Sequence, residues 1–147
     1  EIYESGNINA IGLSNYEADH LDYLQAYAKI KPVINQIETH VFFHHHKAQK
    51  VLEQNNMQME AWSPFARGRN NMFTDPTLAA IGKKYNKSNA QVCLRWLYQR
   101  GIVAIPRTSQ KAHMIENMAI FDFELDASDM ETIATLDLNR TQFPEWG

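Results

Sequence analysis

Short apolar segments alternate four times with stretches of helical periodicity, and no linker breaks the alternation. The apolar segments are Ala10 to Leu13, Val33 to Ile37, Met57 to Trp62 and Ile102 to Ile105, each of strand length. Between and after them the apolar residues recur every three or four positions. A helix is expected over 17–30, with Ala18, Leu21, Leu24 and Ala28 on one face and Asn15 as its cap. A second spans about 45–55 with Ala48, Val51 and Leu52 inward, and a third starts at Thr74-Asp75-Pro76, where proline suits the first turn. Ser88 and Gln91 form a capping box for a fourth, which runs to Arg100, stops at Gly101 and is apolar nearly all round. A fifth covers 111–119, and Ser128-x-x-Glu131 opens a sixth with Met130, Ile133 and Ala134 inward. The tail from Thr141 to Gly147 reads as irregular.

Consecutive strands joined by helices must run parallel, with right-handed crossovers. The strands read as apolar on both faces, as in a sheet covered on each side. A doubly wound nucleotide fold wants a glycine-rich turn after its first strand. That turn is Leu13-Ser14-Asn15-Tyr16, and no G-x-G-x-x-G occurs anywhere. A (β/α)-barrel needs eight units and about 250 residues; here four units occupy 147. Glu1 to Gly6 reads as the last turn of a helix capped by glycine, so the chain is expected to begin inside such a barrel. The expected fold is therefore α/β: half of a (β/α)8 barrel, about four parallel strands with outer helices.

The net charge of −3 argues against a nucleic-acid or anionic-membrane surface. No apolar run approaches the ~20 residues that span a bilayer. The single Cys93 excludes an intramolecular disulfide and suits a reducing, cytoplasmic compartment. In an apolar helix with no activating cation it reads as a small hydrophobe. The run His44-His45-His46 invites a metal reading, but consecutive residues fan around a helix start, so no metal is expected.

Barrel sites lie at the C-terminal strand ends. Those positions carry Ser14 and Asn15, Gln36, Trp62 and Ser63, then Arg107 and Thr108. Carboxamides can pair with another amide, an aromatic can stack on a flat ring, and a guanidinium can fork onto a phosphate. The bland alternative is that Asn15 caps a helix, Gln36 satisfies backbone and Trp62 is core.

"AIGLSNY", "VINQIETH", "AWSPFARG", "AQVCLRWLYQRGIVAIPRTSQKAHMIEN" and "FDFELDASDM" occur in that order. Together they resemble the C-terminal half of the aldo-keto reductases, in particular bacterial enzymes similar to 2,5-diketo-gluconate reductases. The resemblance runs from residue 1 to about 137. It implies a (β/α)8 barrel that reduces aldehydes and ketones to alcohols with NADPH and no metal.

Residue by residue, the resemblance implies that Ser14, Asn15 and Gln36 hold the nicotinamide carboxamide and that Trp62 stacks on its ring. Ser63, Pro64 and Phe65 would open the loop around the diphosphate, with Arg67 and Arg69 adding charge. Arg107 and Thr108 stand where a Lys-Ser pair binds the adenosine ribose and its 2′-phosphate. Glu116 and Asn117 match the pair that contacts adenine. His113 replaces the usual Arg, and a histidine is mostly neutral at pH 7. NADP(H) is thus the implied cofactor, with NAD(H) admitted. The family's catalytic Tyr, Asp, Lys and His belong to the N-terminal half, and none of Tyr3, Tyr16, Tyr23, Tyr27, Tyr85 or Tyr98 sits in a matching motif. No catalytic residue is assigned here, and the isolated chain is expected to be inactive. Its expected partners are a small carbonyl substrate and either the missing half or a second copy across the open barrel. The alternative is a non-enzymatic nucleotide-binding or subunit-interaction module.

Overall fold

The computed structural model describes residues 2–146, with the side chains of Ala18, Asp22, Gln25 and Trp146 left aside. Glu1, Gly147 and the inward role expected for Ala18 lie outside the described residues. Residues 2–6 form turns, and Gly6 takes the left-handed conformation that ends them, at φ +75°.

Four strands follow: β1 (Gly12–Ser14), β2 (Ile34–Glu38), β3 (Gln58–Trp62) and β4 (Val103–Ala104). They form one sheet in the order β1-β2-β3-β4, every pair parallel. The half-barrel expected from the sequence is the architecture observed. Among the described residues six α-helices accompany the strands: α1 (Ala18–Tyr27), α2 (His46–Gln54), α3 (Pro76–Tyr85), α4 (Asn89–Gln99), α5 (Lys111–Met118) and α6 (Ala127–Ala134).

Strand side chains alternate between two faces. On one face Asn35, Ile37, Met59 and Ala61 are buried. The three apolar ones join a single core with Leu52 of α2, Leu78 of α3 and Val92, Cys93, Trp96 and Leu97 of α4. The α4 face is as apolar as the sequence implies, and burial pushes the Cys93 thiol well above its ordinary range, so it stays protonated. The opposite face is not apolar, contrary to the reading of the strands. It carries Ser14, Gln36 and Glu60 in one register row and Gln58 and Glu38 beside it. Most of these polar groups find hydrogen-bond partners: Gln36 Nε2 donates to Glu60 Oε1 at 2.6 Å, Gln58 Nε2 to Gly101 O at 2.7 Å, and Glu38 accepts from the tail.

The capping chemistry is mostly as read. Asp75 Oδ1 accepts the Leu78 amide at 2.9 Å with Pro76 following, and Ser88 and Gln91 close a capping box. Three details differ. Glu17, not Asn15, precedes α1, because Asn15 is left-handed (φ 56°) and spends its side chain elsewhere. The α6 box is Asp126 with Asp129, two residues ahead of the Ser128 pattern. Ala134 is exposed, while its neighbour Ile133 faces the core.

Candidate functional site

Two polar clusters lie at the C-terminal strand ends. In the first, buried Asn35 donates from Nδ2 to Tyr16 O at 2.7 Å, fixing the turn that presents Asn15. The Asn15 amide donates to Gln36 O at 2.9 Å, and its Oδ1 accepts from Trp62 Nε1 at 2.7 Å. Ser14 stands opposite Gln36 in register. So Ser14, Asn15, Gln36 and Trp62 do converge. Asn15 Oδ1 and Gln36 Nε2 are engaged, while Asn15 Nδ2, Gln36 Oε1 and the Ser14 hydroxyl have no partner among the described residues.

The second cluster lines two adjoining cavities. One, of about 460 Å³, is bounded by Ser63, Pro64, Phe65, Arg67, Ile105 and Arg107. The other, of about 360 Å³, is bounded among others by Thr108, His113, Glu116 and Asn117. Phe65, Phe73 and Arg107 line both, so they run as one groove from β3 to α5. The Arg107 guanidinium is exposed and forms no hydrogen bond or ion pair among the described residues.

Local folding places these groups. Asn89, buried at the head of α4, donates to Met72 O and Asp75 O, both at 3.0 Å, and so ties down the loop before α3. Gln91 Nε2 reaches Glu116 O at 3.1 Å and Ala119 O at 3.0 Å, and Ser88 Oγ bonds the Glu116 carboxylate. The start of α4 therefore sets the position of α5 with His113, Glu116 and Asn117. The loop from Ser63 is wound tightly: Ser63, Ala66, Arg67, Asn70 and Asn71 all have φ between 47° and 55°. Asparagine tolerates that region, but for Ser63, Ala66 and Arg67 it is strained, a state that clusters at ligand clamps.

The tail crosses the strand ends. Thr141 Oγ donates to Glu38 Oε2 at 2.5 Å and the Gln142 amide to Glu38 Oε1 at 2.8 Å. Burial raises the Glu38 carboxyl, but hydrogen bonds from His40, Thr141 and Gln142 outweigh it and hold it below the ordinary range. Phe143 is buried with its ring 5.3 Å from Trp62, and Arg69 reaches from the wound loop to Glu145 at 2.6 Å.

Sequence reasoning did not find Phe73, Glu60, Glu38 or Phe143. Glu60 was open to discovery, since strand alternation places it two residues before Trp62 on the same face. The tail contacts of Glu38, Trp62 and Arg69 join residues 76 to 104 apart in sequence and leave no local pattern. The spread of the three histidines is also corrected. His45 is left-handed (φ 51°, ψ 38°) and turns the chain so that His44 and His46 converge, with Nδ1 and Nε2 at 3.3 Å.

The sequence profile of the Aldo/keto reductase family matches residues 1–138. The chain is 41% identical over 144 residues to the uncharacterized oxidoreductase YtbE of Bacillus subtilis, covering 98% of this chain and 51% of that protein. It is 41% identical over 137 residues to the glyoxal reductase of the same organism, covering 93% and 49%. Among solved structures, MGS-M4, an aldo-keto reductase from a Medee basin deep-sea metagenome library, superposes with a TM-score of 0.93 at 38% identity, over 97% of this chain and 53% of that one. A silkworm (Bombyx mori) aldo-keto reductase complexed with NADPH gives 0.89 at 35%, over 95% and 46%. The chain spans about half the length of the curated relatives it matches.

Proposed function

The chain belongs to the aldo/keto reductase family, and from that premise we propose that it is the C-terminal, nucleotide-binding half of an NADP(H)-dependent carbonyl reductase. The observation that carries the reading is the groove shared by Phe65 and Arg107, which joins the strand ends to α5. Taken with the Ser14, Asn15, Gln36 and Trp62 cluster, which ends one residue before Ser63 of the groove, it offers groups that fit a dinucleotide: carboxamides and an aromatic from the cluster, and a guanidinium for phosphate from the groove. The NADPH complex of the silkworm relative supports the same cofactor class.

In this reading Ser14, Asn15 Nδ2 and Gln36 Oε1 bind the nicotinamide carboxamide and so select the ring face offered to substrate. Trp62, held by its bond to Asn15, packs on that ring. Ser63, Pro64, Phe65, Arg67 and Arg69 line the diphosphate path. Arg107 and Thr108 meet the ribose 2′-phosphate, and His113, Glu116 and Asn117 border the adenine. When bound, the reduced nicotinamide supplies hydride. Carbonyl reduction also needs a proton donor, and this chain has no residue in the family's tyrosine motif. The complementary half of the barrel would bring that donor and would cover the open sheet face, where Val103 and Ile105 are 44% and 43% exposed.

Titration of the chain with NADPH and NADH tests this. NADPH should bind the more tightly, by a modest factor because His113 stands at the second phosphate-facing position. Arg107→Met should weaken NADPH more than NADH. No binding of either nucleotide, or equal losses for both, would sink the assignment. Aldehyde-dependent NADPH oxidation should be absent from the chain alone and appear on mixing with a separately expressed N-terminal half. Robust turnover by the chain alone would reveal a proton donor among its own residues.

A second reading, a subunit-interaction module without catalysis, rests on Val103 and Ile105, exposed at the edge of that same face. It predicts tight self-association and no nucleotide affinity, which the titration and a sedimentation run separate.

A further inference from the structure

Away from the groove, the start of α2 and the segment after α6 bring two imidazoles and a carboxylate together. The ligand-capable atoms of His44, His46 and Asp137 all lie within 4.8 Å of one another. We propose that these three side chains form a binding site for a zinc-class divalent ion, which clips the base of the C-terminal tail to α2.

The geometry carries this in three steps. His44 is buried, and its Nε2 lies 3.0 Å from Val41 O. A carbonyl can only accept, so Nε2 holds the proton and the Nδ1 lone pair is left facing His46 and Asp137. A metal-binding histidine is typically oriented in this way, with its far nitrogen donating to a carbonyl. Asp137 is prepared likewise: Oδ1 accepts the His44 amide at 3.3 Å and the Asn139 amide at 2.9 Å, while Oδ2 stands 3.8 Å from His44 Nδ1. Ligand atoms about 2.0–2.1 Å from a tetrahedral zinc sit about 3.3–3.4 Å apart. The Nδ1 to Nε2 distance of 3.3 Å already meets this, and small torsions of exposed His46 and half-buried Asp137 close the rest.

Two imidazoles with one carboxylate suit Zn²⁺, Ni²⁺ or Cu²⁺ rather than Mg²⁺ or Ca²⁺. The exposure of His46 leaves a fourth position for water. The Arg100 guanidinium, which donates to His44 O at 2.8 Å, is the opposing charge nearby. Asp137 offsets it, and the pair sets an affinity below that of a four-ligand structural site. The ion would bridge residues 93 apart, so chelation closes a long loop and should stabilise the fold by mass action.

The test uses the whole chain, stripped with a chelator and titrated with Zn²⁺ and, in parallel, Co²⁺ as a coloured probe. One equivalent of Zn²⁺ should bind saturably and raise the melting temperature, and Co²⁺ should give the visible bands of a four-coordinate site. His46→Ala touches an exposed residue and should leave the metal-free melting temperature unchanged while abolishing both signals. Asp137→Asn keeps an amide-accepting oxygen and should weaken Zn²⁺ at least tenfold. Absence of saturable one-to-one binding would overturn the proposal. So would a His46→Ala or Asp137→Asn variant that binds as the parent does, since the ion would then sit on other histidines.

Discussion

The two faces of the sheet are built on different terms. On the helix-covered face Ile37, Met59 and Ala61 are 2%, 3% and 0% exposed and share one apolar core with Leu52, Val92 and Leu97. The other face presents Ser14, Gln36, Glu60 and Glu38, with Val103 and Ile105 open at its edge. Stability is concentrated on one face, and groups able to recognise a ligand on the other. The strands serve both because side-chain alternation lets a single residue step separate the two duties. Close packing is demanded on one side only, so the other can retain polar atoms that a core would reject.

The most severe test of that division is a pair of truncations. Leu97→Ala empties space at a fully buried position and should cost about 2–5 kcal/mol in chemical denaturation. Ile105→Ala, on the open face, should cost under about 1 kcal/mol. Comparable losses would mean that the open face is packed against something, such as a second copy of the chain.

Acid should act next, through carboxylates held by hydrogen bonds. In Asp129 burial raises the pKa, but Lys84, Tyr85 and the Asp126 amide pull it lower in sum. Glu38 follows the same pattern from the other face. Both titrate lower folded than unfolded, so their stabilisation is complete above the unfolded carboxylate range near ~4. It is lost as the pH falls through the folded values below that range. Asp129→Asn removes a buried ionic hydrogen-bond centre and should cost on the order of 2 kcal/mol at neutral pH. It should also flatten the acid limb of a stability–pH curve. An unchanged limb would assign acid sensitivity to Glu38 alone and hence to the tail.

Trp62→Ala is smaller and tests the other face directly. Ring stacking contributes about 1 kcal/mol, so NADPH and NADH affinity should both fall about fivefold. A loss confined to NADPH would place Trp62 near the 2′-phosphate and reverse the direction of the groove.

The sequence carried the helix-covered face almost entirely. Periodicity exposes Ala48, Leu52, Leu78, Ile81 and the whole of α4, and caps such as Asp75 and Ser88 are local chemistry. The polar face was legible at strand ends, where motifs named Asn15, Gln36 and Arg107. It failed at Glu60 and Glu38, because an alternating strand with polar inner residues resembles a continuous apolar one once Ile34, Ile37 and Met59 intervene. His44 and His46 were misjudged because one left-handed residue, His45, lies outside what helical spacing can foresee. The tail was invisible, since Thr141, Gln142 and Phe143 earn their places through contacts distant in sequence.

The tail offers the smallest contrast, between a buried contact and an exposed one on the same segment. Thr141→Val removes one donor from buried Glu38, and a lost hydrogen bond to a charged acceptor should cost about 1–2 kcal/mol. The Arg69–Glu145 pair is also short, at 2.6 Å, but both side chains are solvated and most such pairs contribute little. Glu145→Gln should therefore leave the denaturation midpoint unchanged. Its effect belongs to the groove: Arg69, then held to the tail only by its stacking on Phe143 at 4.2 Å, gains freedom to turn towards the proposed diphosphate path. NADPH and NADH affinity should each rise, equally and by no more than about threefold, because the diphosphate is common to both. A fall in affinity would mean that the Glu145 contact holds the strained loop in its binding form. A loss of stability matching Thr141→Val would mean that the exposed pair anchors the tail after all, and the division between the two faces would then extend less far than the strands suggest.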